Sequence, residues 1–237
     1  MRSLRIRMFV ALLLLWPVCC LAKPPVAEQG LFKPTFLLAN ESWSAGTAFL
    51  ARAPDGKSTL MVTCHHLFGP AAGREEQMSA EQIAATVRGA VGLSMQDQKL
   101  IIVAPANLKV EGAREMDQQG MDKDVALFTV RDADNVKAFE LAEKLPNVGD
   151  AVYLFAREVG AASPKLYRAT VSEASGKAIA YVFDDRKVEL RGTSGAPVLD
   201  ESGKVVAMNL GGGDQDGKLF GVGNPATAIR QAIGQGR

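Results

Sequence analysis

Gly192-Thr193-Ser194-Gly195-Ala196-Pro197-Val198 places a serine between two glycines, directly ahead of an apolar segment. Glycine lets the backbone turn sharply, so a serine flanked in this way can present its hydroxyl at the end of a strand. A turn of this composition is common in itself. Its meaning depends on which residues precede it along the chain.

A base and an acid precede this serine. The only two histidines of the chain, His65 and His66, follow the apolar segment 60–64, and Asp124 opens the apolar segment 125–128. A serine hydroxyl is a poor nucleophile unless a neighbouring base takes its proton, which a histidine does near neutral pH. An aspartate behind the ring fixes its tautomer. The order of base, acid and Ser194 therefore predicts nucleophilic catalysis, with the amides of Gly192 and Ser194 stabilising an oxyanion.

Short apolar segments of strand length recur between turn signals along the rest of the chain. They are rich in Val, Ile, Phe and Thr, and Pro54-Asp55-Gly56 and Asp200-Glu201-Ser202-Gly203 are typical hairpin connections. This spacing predicts an all-β protein of sandwich or barrel type. The predicted strands are residues 35–39, 46–53, 59–64, 100–104, 125–130, 151–156, 167–171, 179–183, 196–199, 205–210 and 219–222.

Two short helices are expected beside the strands. Residues 74–90 contain helix formers with apolar residues on one side, and Ser79 can cap such a helix together with Gln82. A terminal helix is predicted for residues 226–233. The charged segment 131–148 separates the early strands from the later ones, which indicates two halves.

The first 22 residues have the composition of an export signal. Three arginines precede an apolar run, residues 8–22, which is interrupted by Pro17. A basic start, a short apolar run and small residues at its end predict a signal peptide cleaved after Ala22. An uncleaved anchor is the alternative, but the run is short for a membrane span.

Removal of this leader changes both the charge and the cysteine content. The full chain has 27 basic and 26 acidic residues; without three leader arginines, 24 basic residues remain and the net charge is −2. No basic surplus supports binding to nucleic acid or to anionic membranes. Two of the three cysteines leave as well, so Cys64 has no intramolecular disulfide partner.

Together these segments resemble the chymotrypsin-like, or trypsin-fold, serine peptidases, and most closely the bacterial periplasmic HtrA/Deg branch. The matching elements are Thr-x-x-His at 63–66, Asp-x-Ala at 124–126, Gly-x-Ser-Gly-x-Pro at 192–197 and Leu-x-x-Val-Gly-Asp at 145–150.

The resemblance implies two antiparallel six-stranded β-barrels, residues 23–145 and 146–237, with an active site between them. His66 and Asp124 would come from the first barrel and Ser194 from the second. It also implies a periplasmic or secreted endopeptidase that acts on protein or peptide substrates and needs no cofactor or metal.

The resemblance also selects among neighbouring candidates. Its Thr-x-x-His spacing favours His66 over His65, which is then expected to be an ordinary, partly exposed residue facing the other way. Asp124 is preferred to Asp122 because it directly leads the apolar strand. Cys64 is expected to be an inert core thiol rather than a nucleophile.

The chain departs from the family pattern in two respects. It has no Ile-Val-Gly-Gly-like segment, and Thr193 stands where digestive members carry the aspartate that pairs with their new N-terminus. Activation through that ion pair is therefore not expected. Twelve residues follow Pro225, too few for the PDZ domain of HtrA proteins.

The sequence leaves three functional points open. A trypsin-fold module that binds a partner without cutting it is the alternative to a peptidase, whereas an esterase is disfavoured because Gly-x-Ser-x-Gly is absent. By resemblance, the substrate pocket has its floor within residues 185–191. If Val188 forms the floor, substrates with small or apolar side chains at the cleavage site are favoured, whereas Glu189 at the floor would reverse that preference. Residues 211–213, three glycines, either pair with a substrate strand or form a flexible loop.

Overall fold

Thirteen β-strands and two α-helices form the regular structure of residues 23–26, 30–131 and 136–235, which this computed structural model describes. Two short 3₁₀ helices, His65–Phe68 and Pro70–Ala72, lie between strands of the first half. The predicted leader, residues 1–22, lies outside the described residues.

The first half of the chain forms a closed antiparallel barrel. Its strands are β1 (Leu31–Leu37), β2 (Ser42–Ser44), β3 (Ala48–Arg52), β4 (Thr59–Thr63), β5 (Gly89–Ser94), β6 (Leu100–Leu108) and β7 (Ala126–Arg131). They pair in the order β2-β1-β3-β4-β7-β6-β5, and β1 also pairs with β5. Six strands therefore close the barrel, with β2 as an additional strand beside β1.

The second half forms another closed antiparallel barrel. Its strands are β8 (Ala151–Ala156), β9 (Lys165–Ala174), β10 (Ile179–Phe183), β11 (Pro197–Leu199), β12 (Val205–Gln215) and β13 (Lys218–Pro225). They close in the order β10-β13-β12-β11-β8-β9. The prediction of two six-stranded antiparallel barrels is confirmed.

Each barrel is filled by apolar side chains from its own strands. In the first, Phe36, Phe68 and Phe128 pack around one another, with ring centroids 4.5, 5.9 and 6.3 Å apart. In the second, Tyr181 and Phe183 meet edge to face at 5.5 Å. Full burial of a large apolar side chain contributes roughly 1.5–3 kcal/mol. Packing of this kind stabilises the fold without a disulfide among the described residues, where Cys64 is free.

Helix α1 (Ala80–Thr86) begins with the capping box that the sequence predicts. The amide of Gln82 donates to Ser79 Oγ at 3.2 Å, and the amide of Ser79 donates to Gln82 Oε1 at 2.7 Å. The helix is shorter than the segment 74–90. It ends at Thr86, and the chain enters strand β5 at Gly89, where a Cβ would meet the carbonyl oxygen of Ala104 at 2.5 Å.

Helix α2 (Ala226–Gln235) follows β13 directly and confirms the predicted terminal helix. Its buried face packs against β12 and β13 of the second barrel. Neither α-helix of the described part has the length and apolar character needed to cross a membrane.

Candidate functional site

His66 and Asp124 meet because strands β4 and β7 pair. His66 lies in the 3₁₀ helix that directly follows β4, and Asp124 precedes β7, with Thr63 opposite Ala126. His66 Nδ1 lies 2.7 Å from Asp124 Oδ2, and the backbone amide of His66 donates to Asp124 Oδ1 at 3.0 Å. One carboxylate therefore holds both the ring and the backbone of the histidine.

Further donors hold Asp124, which is 0% exposed, one at its carboxylate and one at its backbone carbonyl. The backbone amide of Met116 donates to Asp124 Oδ2 at 3.0 Å, and the side-chain amide of Asn224 donates to the Asp124 carbonyl at 3.2 Å. The hydrogen bond from Met116 helps to offset the cost of removing the carboxylate from water, whereas the bond from Asn224 fixes the backbone of Asp124. Sequence reasoning missed Met116 and Asn224, because neither belongs to a local motif.

Residues 192–196, called the Ser194 loop, lie at the junction between the two barrels. The amide of Thr47 donates to the Ser194 carbonyl at 2.8 Å, and Thr47 Oγ1 donates to the Gly192 carbonyl at 2.9 Å. Gly195 adopts φ +89°, and a Cβ there would lie 1.9 Å from the Thr47 carbonyl oxygen. The second glycine of the motif is thus required by both its conformation and the close approach of Thr47, the residue before strand β3.

The Ser194 hydroxyl is turned toward strand β12. It donates to the Leu210 carbonyl at 3.1 Å, and among the described residues no hydrogen bond joins Ser194 to His66. Catalytic hydrogen bonds are often long or misaligned before substrate binds. Rotation about the Cα–Cβ bond of Ser194 would redirect the hydroxyl.

Two backbone amides of the same loop have no acceptor in the described part of the chain, those of Gly192 and Ser194. Their neighbours are paired: the Thr193 amide donates to the Leu190 carbonyl at 3.1 Å, and the Gly195 amide donates to the Asn209 carbonyl at 2.7 Å. Unpaired amides beside a serine can donate to an anionic oxygen of a bound ligand.

His65 differs from the prediction of a partly exposed residue, since it is only 2% exposed. The chain enters a 3₁₀ helix at His65 instead of continuing as an extended strand, so adjacent side chains do not simply alternate between two faces. His65 Nδ1 lies 3.3 Å from Gln77 Nε2. Burial is the main cause that lowers the pKa of His65, with Asp124 opposing it.

Cys64 is fully buried, as predicted, and its Sγ donates to the Asn209 carbonyl at 3.5 Å. Burial, followed by the charge of Asp124, raises the pKa of this thiol well above its usual value. Ligand atoms of Cys64, His66 and Asp124 lie within 4.8 Å of one another. A protonated thiol is a poor metal ligand, and the other two groups already bond to each other, so this trio does not favour a metal site.

Val188, rather than Glu189, is the buried member of the segment 185–191. Val188 is 7% exposed. The backbone amide of Glu189 donates to Glu158 Oε1 at 2.9 Å, and the Glu189 carboxylate accepts from the amide of Arg191 at 2.9 Å. The acidic side chain thus folds back on its own loop.

Residues 211–213 belong to strand β12 and not to a flexible loop. They pair with residues 220–222 of β13 on one side. On the other side, β11 pairs with β12 only as far as Met208. Among the described strands, the glycine segment therefore has one unpaired edge.

The two closed antiparallel barrels have a serine loop and a histidine–aspartate pair at their junction. This combination defines the class of trypsin-fold proteins. The chain belongs to the family described as the trypsin-like peptidase domain, whose model matches residues 46–208. No curated protein sequence matches the chain.

Solved structures of serine proteases share the fold. The active form of the Rv3671c protease from M. tuberculosis is 16% identical, with 98% of this chain and 94% of that one covered, at a TM-score of 0.56. The thermostable serine protease AL20 from an extremophilic microorganism is 14% identical, with 89% and 98% covered, at 0.57. The MamO protease domain from Magnetospirillum magneticum is 13% identical, with 87% and 96% covered, at 0.52.

Proposed function

We propose that the protein is an exported serine endopeptidase that cuts peptide bonds through an acyl-enzyme. Ser194 is the nucleophile, His66 the general base and then acid, and Asp124 the residue that orients His66. The amides of Gly192 and Ser194 bind the oxyanion. Export rests on the predicted leader, residues 1–22.

The observation that carries this proposal is the buried hydrogen bond of 2.7 Å between His66 Nδ1 and Asp124 Oδ2. The aspartate carboxylate accepts a hydrogen bond from the Nδ1–H of His66, so the lone pair of Nε2 is free to take the serine proton. Ordinary packing has no need for a buried carboxylate that binds both the ring and the backbone of one histidine.

The chemistry proceeds in two transfers. Ser194 Oγ leaves the Leu210 carbonyl, gives its proton to His66 Nε2 and forms a bond to the substrate carbonyl carbon. The resulting oxyanion accepts hydrogen bonds from the Gly192 and Ser194 amides, and His66 returns the proton to the departing amine. Water then attacks the acyl-enzyme with His66 again acting as base, which releases the acid product and restores Ser194.

Two further features support an extended peptide substrate. The unpaired edge of residues 211–213 is suited to pairing with a substrate strand. The buried Val188 and the folded-back Glu189 support a pocket for small or apolar side chains.

A binding module without catalysis is the alternative. One observation favours it, namely that the Ser194 hydroxyl donates to Leu210 at 3.1 Å and not to His66. A resting peptidase can also have this arrangement, because catalytic hydrogen bonds often form or tighten only when substrate binds.

Labelling of the mature protein with a fluorophosphonate probe tests the proposal. We expect the wild type to be labelled, and Ser194→Ala and His66→Ala to remain unlabelled. His65→Ala is the matched control and should keep most of the labelling. A correctly folded wild type that stays unlabelled would exclude the peptidase, and a His65→Ala variant as inert as His66→Ala would show that the base is assigned incorrectly.

A further inference from the structure

A hydrogen-bond network of buried polar side chains, those of Tyr181, Asn209 and Thr193, lies beneath the Ser194 loop. The hydroxyl of Tyr181 donates to Asn209 Oδ1 at 2.5 Å, Asn209 Nδ2 donates to Thr193 Oγ1 at 2.9 Å, and Thr193 Oγ1 donates to the Leu190 carbonyl at 2.7 Å. Tyr181, Asn209 and Thr193 are all 0% exposed. The network therefore connects strands β10 and β12 to the segment that carries Gly192 and Ser194.

Asn209 is the centre of this network because each of its polar groups makes a hydrogen bond. Its Nδ2 also donates to the Thr193 carbonyl at 3.2 Å. Its own carbonyl accepts from the Gly195 amide at 2.7 Å, and its own amide donates to the Ala196 carbonyl at 2.8 Å. One residue thus fixes the peptide before Ser194 and the two residues after it.

The network is neutral and fully connected, which makes its geometry specific. A buried polar group that loses its partner costs more free energy than the hydrogen bond itself contributes, so a partly connected arrangement is disfavoured. Burial also raises the pKa of Tyr181, so its hydroxyl remains a donor. The Thr193 carbonyl is anchored by Asn209, and this peptide unit contains the Ser194 amide.

We infer that Asn209, braced by Tyr181 and bonded to Thr193, is a positioning residue that holds the Gly192 and Ser194 amides ready for the oxyanion. This inference rests on the proposed function of the same site. Asn209 and Tyr181 act through the loop, since their hydrogen bonds go to protein groups. Loss of the network should reduce transition-state stabilisation while ground-state binding of a peptide changes little.

Substitutions at Thr193 test the network with small changes of volume. Thr193→Val removes the hydroxyl that accepts from Asn209 and donates to Leu190, and it should lower kcat by about 10- to 100-fold, the cost of a small misplacement of catalytic groups. KM should stay within about threefold. Thr193→Ser keeps the hydroxyl and should retain most of the activity. Equal activity of the Val and Ser variants would overturn the inference.

Tyr181→Phe and Asn209→Leu extend the test to the other two members. Asn107→Leu is the matched control, because Asn107 Nδ2 donates to the carbonyls of Ile83 and Val87 at 3.2 and 2.6 Å, in the first barrel. We expect the control to lower the melting temperature and leave kcat unchanged. Tyr181→Phe should lower kcat even if Asn209→Leu does not fold, and an unchanged kcat in Tyr181→Phe would contradict the bracing role.

Hydrogen exchange distinguishes this inference from the proposed function. The hydrogen-bonded amides of Thr193, Gly195 and Ala196 should exchange about tenfold faster in Thr193→Val than in the wild type, whether or not the protein is an enzyme. If fluorophosphonate fails to label the wild type but exchange accelerates in the variant, the network holds the loop and the peptidase proposal fails. If the wild type is labelled but exchange and kcat are unchanged in the variant, the positioning role is wrong.

Discussion

Asp124 holds His66 through two different atoms of the histidine, the backbone amide at 3.0 Å and ring Nδ1 at 2.7 Å. The first contact fixes where the residue lies, and the second fixes the rotation of its ring and the tautomer. An asparagine at position 124 would separate these two effects, since one of its side-chain atoms is an acceptor and the other a donor.

Asp124→Asn should therefore leave the fold intact and remove activity. The amide oxygen can still accept from the His66 backbone, but the amide nitrogen would donate to Nδ1, which places the ring proton on Nε2, where the base must be free. We expect kcat to fall by about 10⁴, the loss associated with the wrong tautomer. Steady-state hydrolysis of a peptide substrate measures kcat for the wild type and the variant.

Asp122→Asn is the control for this substitution. Asp122 lies two positions earlier, and the His66 ring is bonded to Asp124 and not to Asp122. Its activity should match the wild type. If Asp122→Asn loses as much activity as Asp124→Asn, the acid of the site is assigned incorrectly.

Most of the strands could be predicted from the sequence because strands buried in a barrel carry their own apolar signal, whereas the closure into two barrels was implied only by the family resemblance. Strand β5 could not. Its sequence, Gly-Ala-Val-Gly-Leu-Ser, has two glycines and little apolar bulk, and it becomes a strand because β1 and β6 pair with it on both sides. The short strand β2 depends in the same way on its pairing with β1.

The candidate site likewise contains residues that the local sequence predicts and residues that it does not. His66, Asp124 and Ser194 stand in local motifs, so their order along the chain suggests them. Asn224, Asn209 and Tyr181 stand in no such motif, and their contacts join residues far apart in sequence, such as Asn224 and Asp124 at a separation of 100 positions. The buried environment of His65 does not follow from the sequence, because periodicity does not show where a strand gives way to a 3₁₀ helix.

Stability should fall at acidic pH partly because of His65. Its pKa is lowered in the folded protein from the ordinary histidine value of 6.5, mainly by burial. Below that value the unfolded chain takes up the proton first, so the His65 contribution is fully present above pH 6.5 and is lost as pH falls toward the lowered folded pKa. One such group changes the free energy of unfolding by at most about 1.4 kcal/mol per pH unit.

His65→Gln removes this titration and tests the prediction. Urea unfolding of wild type and variant across the range from neutral to mildly acidic pH gives the two free energies of unfolding. The wild type should lose more stability than the variant as pH falls. Parallel pH profiles would contradict a buried, neutral His65.

Cys64 should be unreactive in the native protein. Burial and the charge of Asp124 raise its pKa, so the thiolate that reacts with disulfide reagents is scarce even at mildly alkaline pH. A chromogenic disulfide such as Ellman's reagent should report no thiol in the folded mature protein and one thiol per chain in concentrated guanidinium chloride. Cys64→Ala is the blank, and rapid reaction of the native wild type would contradict the prediction.

The two glycines that flank Ser194 should respond very differently to alanine. Both have positive φ, +80° at Gly192 and +89° at Gly195, so either substitution carries backbone strain of about 1–2 kcal/mol. A Cβ at Gly192 would meet only Val159 Cγ2, at an ordinary 3.7 Å, whereas at Gly195 it would lie 1.9 Å from the Thr47 carbonyl oxygen. Gly192→Ala should therefore fold with a modestly lowered melting temperature, and Gly195→Ala should fail to fold or lose far more stability. Similar melting temperatures for the two variants would mean that the Ser194 loop does not approach Thr47 as closely as described.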